Sequence, residues 1–273
     1  MMTSTSSNGS DPAFLAGIAD AEYRNATGLT QSSLKEFLVS PAHYLASTEV
    51  KKEPTKAMIL GTAFHAEMLQ TEPTKHYAVK LKMDGRTKEG KAYNEQFEQE
   101  NAGKAIITEE DLVTIKAMSA SVRKHPLASR LMSELTHREV AMFGTARPAG
   151  GEVRLKGLVD GYSATGGYAL DLKSAEDASP RYFGFPKAIK DRDYDIQEVQ
   201  YRWLLDANGK VCNEFYFIAV EKVAPYAVGV YTISKKAIEK TTQKWENAIH
   251  DFAVCQSTGN YPAYSDTSVE VTL

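Results

Sequence analysis

YALDLKSA, at residues 168–175, has the alternation of a β-strand whose two faces carry different chemistry. Leu170 and Leu172 point to one side of such a strand, whereas Asp171 and Lys173 point to the other. A carboxylate and an ammonium group therefore lie two residues apart on a strand that is otherwise suited to a buried core. Because a desolvated charge is costly without a partner, the pattern indicates an ion pair or a site for a charged ligand.

The strand predicted just before this one supplies a second carboxylate. Residues 152–163 end in VDGYS, with Asp160 directly before a glycine, and a short turn at 166–167 leads into the YALDLKSA strand. If the two strands pair, Asp160 and Asp171 converge, and Mg²⁺ or Mn²⁺ would relieve their repulsion because hard divalent ions prefer oxygen ligands. Lys173 would then hold or deprotonate an attacking water, or neutralise a phosphate. The alternatives are a solvated strand face, or a simple pair between Lys173 and Asp160.

Two helical patterns add polar residues at defined spacings. His65 lies four residues after Gly61 on an apolar helix, and Gln197 and Tyr201 share one face of a later helix. Taken singly, His65 fits a core histidine and the Gln/Tyr pair fits an ordinary helix surface. The ordered set G-x-x-x-H, G-x-x-D, D-x-K and Q-x-x-x-Y is far less expected by chance.

The rest of the chain predicts one α/β domain with a mixed central sheet flanked by helices. Helical patterns cover residues 29–47 as two short helices, then 57–69, 108–132 with an interruption near Pro126, 194–207 and 234–256. Strand patterns cover 139–145, 152–163, 168–174, 214–221 and 227–234. We expect residues 1–27 to be a flexible tail and residues 28–273 to be a single domain, with a polar, mobile insertion around 80–104.

Composition excludes several classes of protein. The 273 residues have a formal net charge of -3, so any binding to DNA must use a local basic patch. Two cysteines are too few for a disulfide framework or for the four ligands of an iron–sulfur cluster, which suits a reducing compartment. There is no apolar run of membrane-spanning length and no hydrophobic N-terminal segment, so we expect a cytoplasmic protein without a membrane partner.

The motifs together resemble a known family. The segments LTQSSLKEFLVSPAHYL, LGTAFHAEMLQ, DGRTKEGKAYNEQF, AGKAIITEED, GLVDGY, LDLKSA and IQEVQY are similar to the RecE-type exonuclease (exonuclease VIII) group, in the RecB-like branch of the PD-(D/E)xK nucleases. The resemblance runs from about Gly28 to the last helix. It implies a restriction-endonuclease-like α/β core. One departure is Asp171, where the family more often has Glu.

The resemblance also implies a role for each matched residue. It implies that one or two Mg²⁺ or Mn²⁺ ions per subunit are held by His65, Asp160, Asp171 and the carbonyl of Leu172. It implies a catalytic lysine at Lys173, a Gln197 and Tyr201 pair that orients the lysine or contacts the DNA backbone, and a further acid at Glu139.

The activity implied is a metal-dependent 5′-to-3′ exonuclease on double-stranded DNA ends. Such an enzyme leaves 3′ single-stranded overhangs for a single-strand annealing protein in phage-type recombination, and its relatives form homo-oligomeric rings of three or four subunits. Two alternatives remain open at this point. One is a single-strand-specific or endonucleolytic nuclease of the same fold, and the other is a catalytically inactive DNA-binding accessory protein.

Contacts to DNA phosphates are expected from basic residues in the polar segments. The candidates are Lys35, Lys80, Lys82, Arg86, Lys88, Lys91, Lys187, Lys190 and Arg192. Three aromatic residues of the same region, Tyr182, Phe183 and Phe185, either stack on an unpaired DNA end or pack in the core.

Overall fold

The computed structural model describes residues 13–18, 20–50 and 53–264. Within these ranges the strands are β1 (Ala13–Ala16), β2 (Tyr77–Val79), β3 (Ala105–Ile107), β4 (His137–Ala146), β5 (Val153–Ser163), β6 (Tyr168–Ala175), β7 (Glu214–Glu221) and β8 (Val228–Tyr231). The helices are α1 (Asp20–Asn25), α2 (Gln31–Val39), α3 (Pro41–Glu49), α4 (Lys56–Leu69), α5 (Lys88–Glu100), α6 (Glu109–Lys124), α7 (Pro126–Ser133), α8 (Phe185–Asp191), α9 (Tyr194–Ala207) and α10 (Lys235–Thr258), with a 3-10 turn at Pro73–Lys75.

The main sheet is mixed and has the strand order β1-β4-β5-β6-β7-β8. Strands β4, β5 and β6 are antiparallel neighbours, and β7 runs parallel to β6 because the chain returns through α8 and α9. Strand β8 is antiparallel to β7, and β2 and β3 form a separate parallel pair. The predicted mixed central sheet flanked by helices is therefore confirmed.

The two faces of the sheet bury two separate apolar layers. On one face, Ala169 and Phe217 pack with residues of α2, α9 and α10, including Trp245. On the other face, Leu170 and Leu172 pack with residues of α4, α6 and α7. Burial on both faces explains why no residue of β6 is exposed, and it confirms the alternation predicted for residues 168–175.

Polar residues define the helix starts as the sequence predicts. Thr30 and Ser40 cap α2 and α3 by accepting backbone N–H groups, and Thr108 forms a capping box with Asp111 at the start of α6. The break between α6 and α7 falls at His125, directly before Pro126, because a residue before proline is disfavoured in helical conformation.

Two segments predicted to be mobile contain regular secondary structure where the structure describes them. Residues 13–16, predicted as part of a flexible tail, form β1 on the edge of β4, and residues 1–12 lie outside the described part. The polar insertion at 80–104 contains helix α5, whose first turn is capped by Thr87. Gly90 in that turn lies so close to Asp84 that an added Cβ would lie 2.0 Å from the Asp84 carbonyl oxygen, so a side chain there would displace the loop.

No helix in the described part of the chain combines the length and the apolar character needed to cross a membrane.

Candidate active site

The site forms where β5 and β6 stop pairing. The register places Gly161 opposite Leu170 and ends there. One residue further, the Asp160 carboxylate turns toward β6, and its Oδ2 accepts the backbone N–H of Leu172 at 2.7 Å. A side-chain oxygen thus satisfies a buried strand amide that the ladder leaves unpaired, and this fixes the Asp160 carboxylate against the strand that carries Asp171.

His65 reaches the same point from α4. Its Nδ1 lies 2.8 Å from the carbonyl oxygen of Gly61, one turn earlier, and since that oxygen can only accept, Nδ1 carries a proton. Its Nε2 lies 3.0 Å from Asp160 Oδ2 and 3.0 Å from the carbonyl oxygen of Leu172. The Gly61 contact therefore fixes the ring so that Nε2 faces the two oxygen atoms.

Lys173 is held by three neighbours. Its Nζ lies 2.5 Å from Asp171 Oδ1, donates to Gln197 Oε1 at 2.9 Å, and lies 4.3 Å from the centroid of the Tyr194 ring. The Gln197 amide also donates through Nε2 to Asp171 Oδ2. Gln197 therefore orients the lysine and the acid of the D-x-K motif at once, which is one of the two roles that the resemblance implies for it.

The charges of the cluster depend on burial and on one another. Burial lowers the pKa of His65, but Asp160 and its hydrogen bond raise it more, and the pKa is about 9. Burial raises the pKa of Asp160, but His65 and Lys173 lower it below its usual range. The pKa of Asp171 is raised, because burial and the charge of Asp160 outweigh Lys173. The two carboxyl groups are thus driven in opposite directions, as in many acid–base sites.

The donor atoms fit a hard divalent ion at three of the four predicted ligands. Nε2 of His65, Oδ2 of Asp160 and the carbonyl oxygen of Leu172 are nitrogen and oxygen donors of the kind that Mg²⁺ and Mn²⁺ accept. Asp171 is different because its carboxylate already faces other side chains. Its Oδ1 lies beside Lys173 without the geometry of a hydrogen bond, and its Oδ2 accepts from Gln197. Among the described residues, no three His, Cys, Asp or Glu side chains are grouped at the spacing of a metal site.

Glu139 has an unusual backbone conformation within strand β4. Its φ is +46°, a left-handed value that is rare in strands and costs about 1–3 kcal/mol. Arg138 donates to the Met132 carbonyl oxygen on the α7 side, whereas Val140, two residues later, packs in the α9 layer. Because of this left-handed conformation, Arg138 and Val140 lie on opposite faces of the sheet although they are two residues apart. Glu139 itself lines the cavity that also exposes Asp160.

Tyr201 does not reach that cavity. It is buried in the core, where its ring lies against Gly157, and a Cβ added to Gly157 would lie 2.8 Å from the ring. Burial, followed by the charge of Asp171, raises the pKa of Tyr201 well above 10. Tyr201 therefore packs beneath the cavity and supports the helix that carries Gln197, and its implied contact with the DNA backbone stays a prediction.

The predicted DNA-binding residues occupy different surroundings. Lys35 is not an open surface lysine: its Nζ donates to the Arg192 carbonyl oxygen at 2.6 Å, and burial and the charge of Lys173 lower its pKa to about 8. Arg192 is exposed and lines the cavity. The remaining candidates do not line it: Lys80 pairs with Glu98, Arg86 with Asp84 and Lys187 with Asp191, while Lys82, Lys88, Lys91 and Lys190 are exposed.

Several residues at the site were not predicted. Tyr194 lies over Lys173, and Arg138 and Lys222 line the cavity. The position of Tyr194 three residues before Gln197 on one helix was a usable signal. Arg138 lies in β4 and Lys222 directly follows β7, and nothing in their local sequence indicates that they line the same cavity.

Comparisons with known proteins agree with this fold. Residues 30–270 match the family described as "PDDEXK-like domain of unknown function (DUF3799)". A crystal structure named "Putative exonuclease", from Eubacterium rectale, is similar with a TM-score of 0.61 and 13% identity, over 94% of this chain and 96% of that chain. A crystal structure of SSO0001 gives a TM-score of 0.30 at 13% identity, over 79% of this chain and 84% of that chain, and supports no conclusion.

No curated protein matches the sequence. The similarity to the Eubacterium rectale structure concerns the fold, because the two sequences share few residues. The family match covers most of the chain, including every residue of the cluster around Asp160 and Lys173. The chain therefore belongs to the PDDEXK-like family DUF3799, within the PD-(D/E)xK superfamily.

Proposed function

We propose that this protein is a Mg²⁺- or Mn²⁺-dependent deoxyribonuclease that acts at the ends of duplex DNA. The observation that carries the proposal is that His65 Nε2 lies 3.0 Å from both Asp160 Oδ2 and the Leu172 carbonyl oxygen, beside a lysine held by Asp171 and Gln197. A cavity opens on His65, Asp160, Leu172 and Lys173, so a phosphodiester has access to them.

Each residue has a distinct task in phosphodiester hydrolysis. His65, Asp160 and the carbonyl oxygen of Leu172 would hold the ion, and Asp171 would join them or balance the charge of Lys173. A bound divalent ion supplies a more acidic water and offsets charge on the phosphate. Lys173 orients the attacking water or neutralises a phosphate oxygen. Gln197 holds the ammonium group of Lys173 toward the cavity. Glu139, on the wall of the same cavity, would serve as the further acid of the site.

The finer activity that we propose follows the RecE-like motifs. It is 5′-to-3′ degradation of one strand of a duplex by a ring of three or four subunits, with one or two ions in each. The 3′ overhangs would pass to a single-strand annealing protein. The similarity of fold to a structure named as an exonuclease supports action at ends.

The test is nucleotide release from a duplex labelled separately at each 5′ and 3′ end, with Mg²⁺. We expect early release of the 5′ label, and no release by Asp171→Ala. Asp251→Ala, which changes an exposed acid on α10, is the matched control and should retain full activity. Sedimentation of the purified protein measures the subunit number.

Other outcomes identify the alternatives. Cutting of covalently closed duplex would indicate an endonuclease, and release only from single strands would indicate a single-strand-specific enzyme. Binding of linear duplex without any Mg²⁺-dependent or Mn²⁺-dependent release would favour the accessory protein and contradict a nuclease.

A further inference from the structure

Three aromatic residues at the start of α8 and just before it, Tyr182, Phe183 and Phe185, separate into two environments. Phe185 is 1% exposed and packs on Tyr231, with ring centroids 4.8 Å apart. Tyr182 and Phe183 are 76% and 77% exposed, and their rings contact each other edge-on at 5.0 Å. Of the three, only Phe185 contributes to the core. The other two place large apolar rings in water, which is unusual unless the surface has a partner.

The turn that carries the two rings is tightly constrained. Gly184 N–H donates to the Arg181 carbonyl oxygen at 2.9 Å, and Phe185 N–H donates to that of Ser179 at 3.0 Å. Ser179 N–H in turn donates to Asp177 Oδ1 at 2.7 Å. A Cβ on Gly184 would lie 2.5 Å from Ser179, so only glycine fits this approach. Tyr182 and Phe183 are therefore presented on a closed turn anchored by buried Phe185.

The rings stand beside the catalytic cavity. Phe183 lines a smaller cavity that shares Ser174, Glu176, Arg192 and Tyr194 with the one containing Lys173. Ser174 follows the catalytic lysine directly, and the Tyr194 ring lies over its ammonium group. A strand leaving the catalytic cavity past Tyr194 therefore meets Phe183 next.

The charge around the rings suits a polyanion. Arg181 directly precedes the pair in sequence, Arg192 lines the same small cavity as Phe183, and both arginines are exposed. Three acids line the smaller cavity: Glu176 pairs with Lys222 and Asp191 pairs with Lys187, whereas Asp177 accepts from Ser179 and is offset in charge by Arg181. Exposed guanidinium groups beside exposed aromatic rings are the combination by which single-stranded nucleic acid is bound, through its phosphates and the faces of its bases.

We propose that Tyr182 and Phe183 form a stacking platform for unpaired bases of the DNA strand that adjoins the catalytic cavity. This inference rests on the proposed deoxyribonuclease function and specifies the part of the substrate that the enzyme reads. Base stacking is tolerant of sequence, so the platform favours a frayed or unpaired end over a blunt duplex without selecting particular bases.

The test is binding in EDTA, which separates recognition from cleavage. Fluorescence anisotropy compares the full-length protein on a blunt duplex and on the same duplex with four unpaired bases at one end. The double variant Tyr182→Ala/Phe183→Ala should bind the unpaired end about 5- to 150-fold more weakly, which is the range expected for losing one stacked base. Its affinity for the blunt duplex should change much less.

Two further variants serve as controls. The double variant Val113→Ala/Val211→Ala, which trims exposed apolar residues elsewhere, should bind as the wild type does. The exchange Tyr182→Phe/Phe183→Tyr keeps both rings and should preserve the preference for the unpaired end. Photocrosslinking of a strand with 5-iodouracil in the unpaired end should label a wild-type peptide that contains Tyr182 or Phe183.

The inference is overturned if the double alanine variant keeps wild-type affinity for the unpaired end, or if the crosslink maps elsewhere. A changed subunit number with unchanged DNA binding would assign the rings to a contact between copies of this chain, and would also overturn it. The proposed function is tested separately. If the wild type cleaves DNA but its affinity for the unpaired end does not depend on Tyr182 and Phe183, the nuclease proposal holds and the platform does not. If that affinity depends on the two rings but the protein does not cleave DNA, the platform holds and the nuclease proposal does not.

Discussion

Gln197 Oε1 lies 2.9 Å from Lys173 Nζ, and the Nε2 of the same amide donates to Asp171. One side chain thus contacts both charged residues of the D-x-K motif. Gln197 is itself buried, so its amide has little freedom to turn away. The relative position of the carboxylate and the ammonium group therefore depends on a neutral residue from another element.

Removing this amide should impair cleavage more than binding. We expect Gln197→Ala to lower the rate of nucleotide release about 100-fold, because small displacements of catalytic groups have effects of that size. DNA affinity in EDTA should stay within about twofold. The matched control is Gln243→Ala, which removes an exposed amide on α10 that bonds Asn247. A Gln197→Ala enzyme with wild-type turnover would show that Lys173 needs no such support.

The stability of the metal-free protein should depend on His65. Its folded-state pKa of about 9 exceeds the ordinary 6.5, because Asp160 outweighs the effect of burial. The folded protein therefore holds the proton more tightly than the unfolded chain does. This contribution to the free energy of unfolding is fully present below pH 6.5 and is lost as the pH rises through 9.

Urea denaturation in EDTA at pH 6 and pH 9.5 measures this loss. We expect the wild type to lose on the order of 3 kcal/mol between the two values through this group. His65→Ala should lack that component, and His250→Ala, at an exposed position on α10, should retain it. Equal pH dependence in the wild type and His65→Ala would disprove the assignment.

The ring of Tyr194 should matter for catalysis through its face and not through its hydroxyl. The ring centroid lies 4.3 Å from Lys173 Nζ and 5.3 Å from Lys35 Nζ. A cation–π contact is worth about 0.5–2 kcal/mol, so Tyr194→Leu should slow cleavage between about twofold and thirtyfold. Tyr194→Phe keeps the ring and should remain within about twofold of the wild type. Equal loss in both variants would indicate that the hydroxyl is the important group.

Local rules were sufficient for the elements that carry the site. The alternation in residues 168–175 predicts a strand with two different faces, and β6 has them because both of its faces are covered by helices. The short turn at 166–167 limits how β5 and β6 pair, and this brings Asp160 against the backbone of Leu172. The spacing from Gly61 to His65 is one helical turn, which is the spacing that their hydrogen bond requires.

Features that depend on distant contacts were not predictable in the same way. Residues 13–16 form a strand only because the edge of β4 is available to them, and four residues carry little pattern of their own. Helix α5 is polar and has one apolar pair, Tyr93 and Phe97, whose rings lie 5.7 Å apart. Glu139 has a left-handed backbone conformation, and no sequence pattern predicts that conformation for a glutamate within a strand.

Glu198 is expected to make stability depend on pH in the acid range. It is fully buried, its Oε1 accepts from Arg202 Nε at 2.8 Å, and its pKa is raised to about 7 because burial outweighs Arg202. Since the unfolded chain ionises near pH 4.5 and the folded protein only near 7, this group makes the folded state less stable as the pH rises between those values.

Replacing the carboxyl group with an amide should remove that slope. The free energy of unfolding is compared for Glu198→Gln and the wild type from thermal melts at pH 5 and pH 8. Relative to the wild type, the variant should be more stable at pH 8 than at pH 5 by on the order of 2 kcal/mol. Glu239→Gln, at an exposed position on α10, is the control and should follow the wild type. A Glu198→Gln protein that is equally destabilised at both values would mean that the hydrogen bond to Arg202 outweighs the cost of burying the charge.

The affinity for duplex DNA should depend more on cations at the cavity than on those of the insertion. Arg192 and Lys222 line the cavity beside Lys173, whereas Lys82, Lys88 and Lys91 lie away from its walls. Each lost phosphate contact should reduce the slope of log affinity against log salt by about 0.9. We expect Arg192→Ala to reduce it by about 0.9 in EDTA, with DNA binding measured from 50 to 200 mM salt. A larger reduction in the triple alanine variant of Lys82, Lys88 and Lys91 would instead place the duplex along α5, and the path of DNA over the subunit would then start from the insertion.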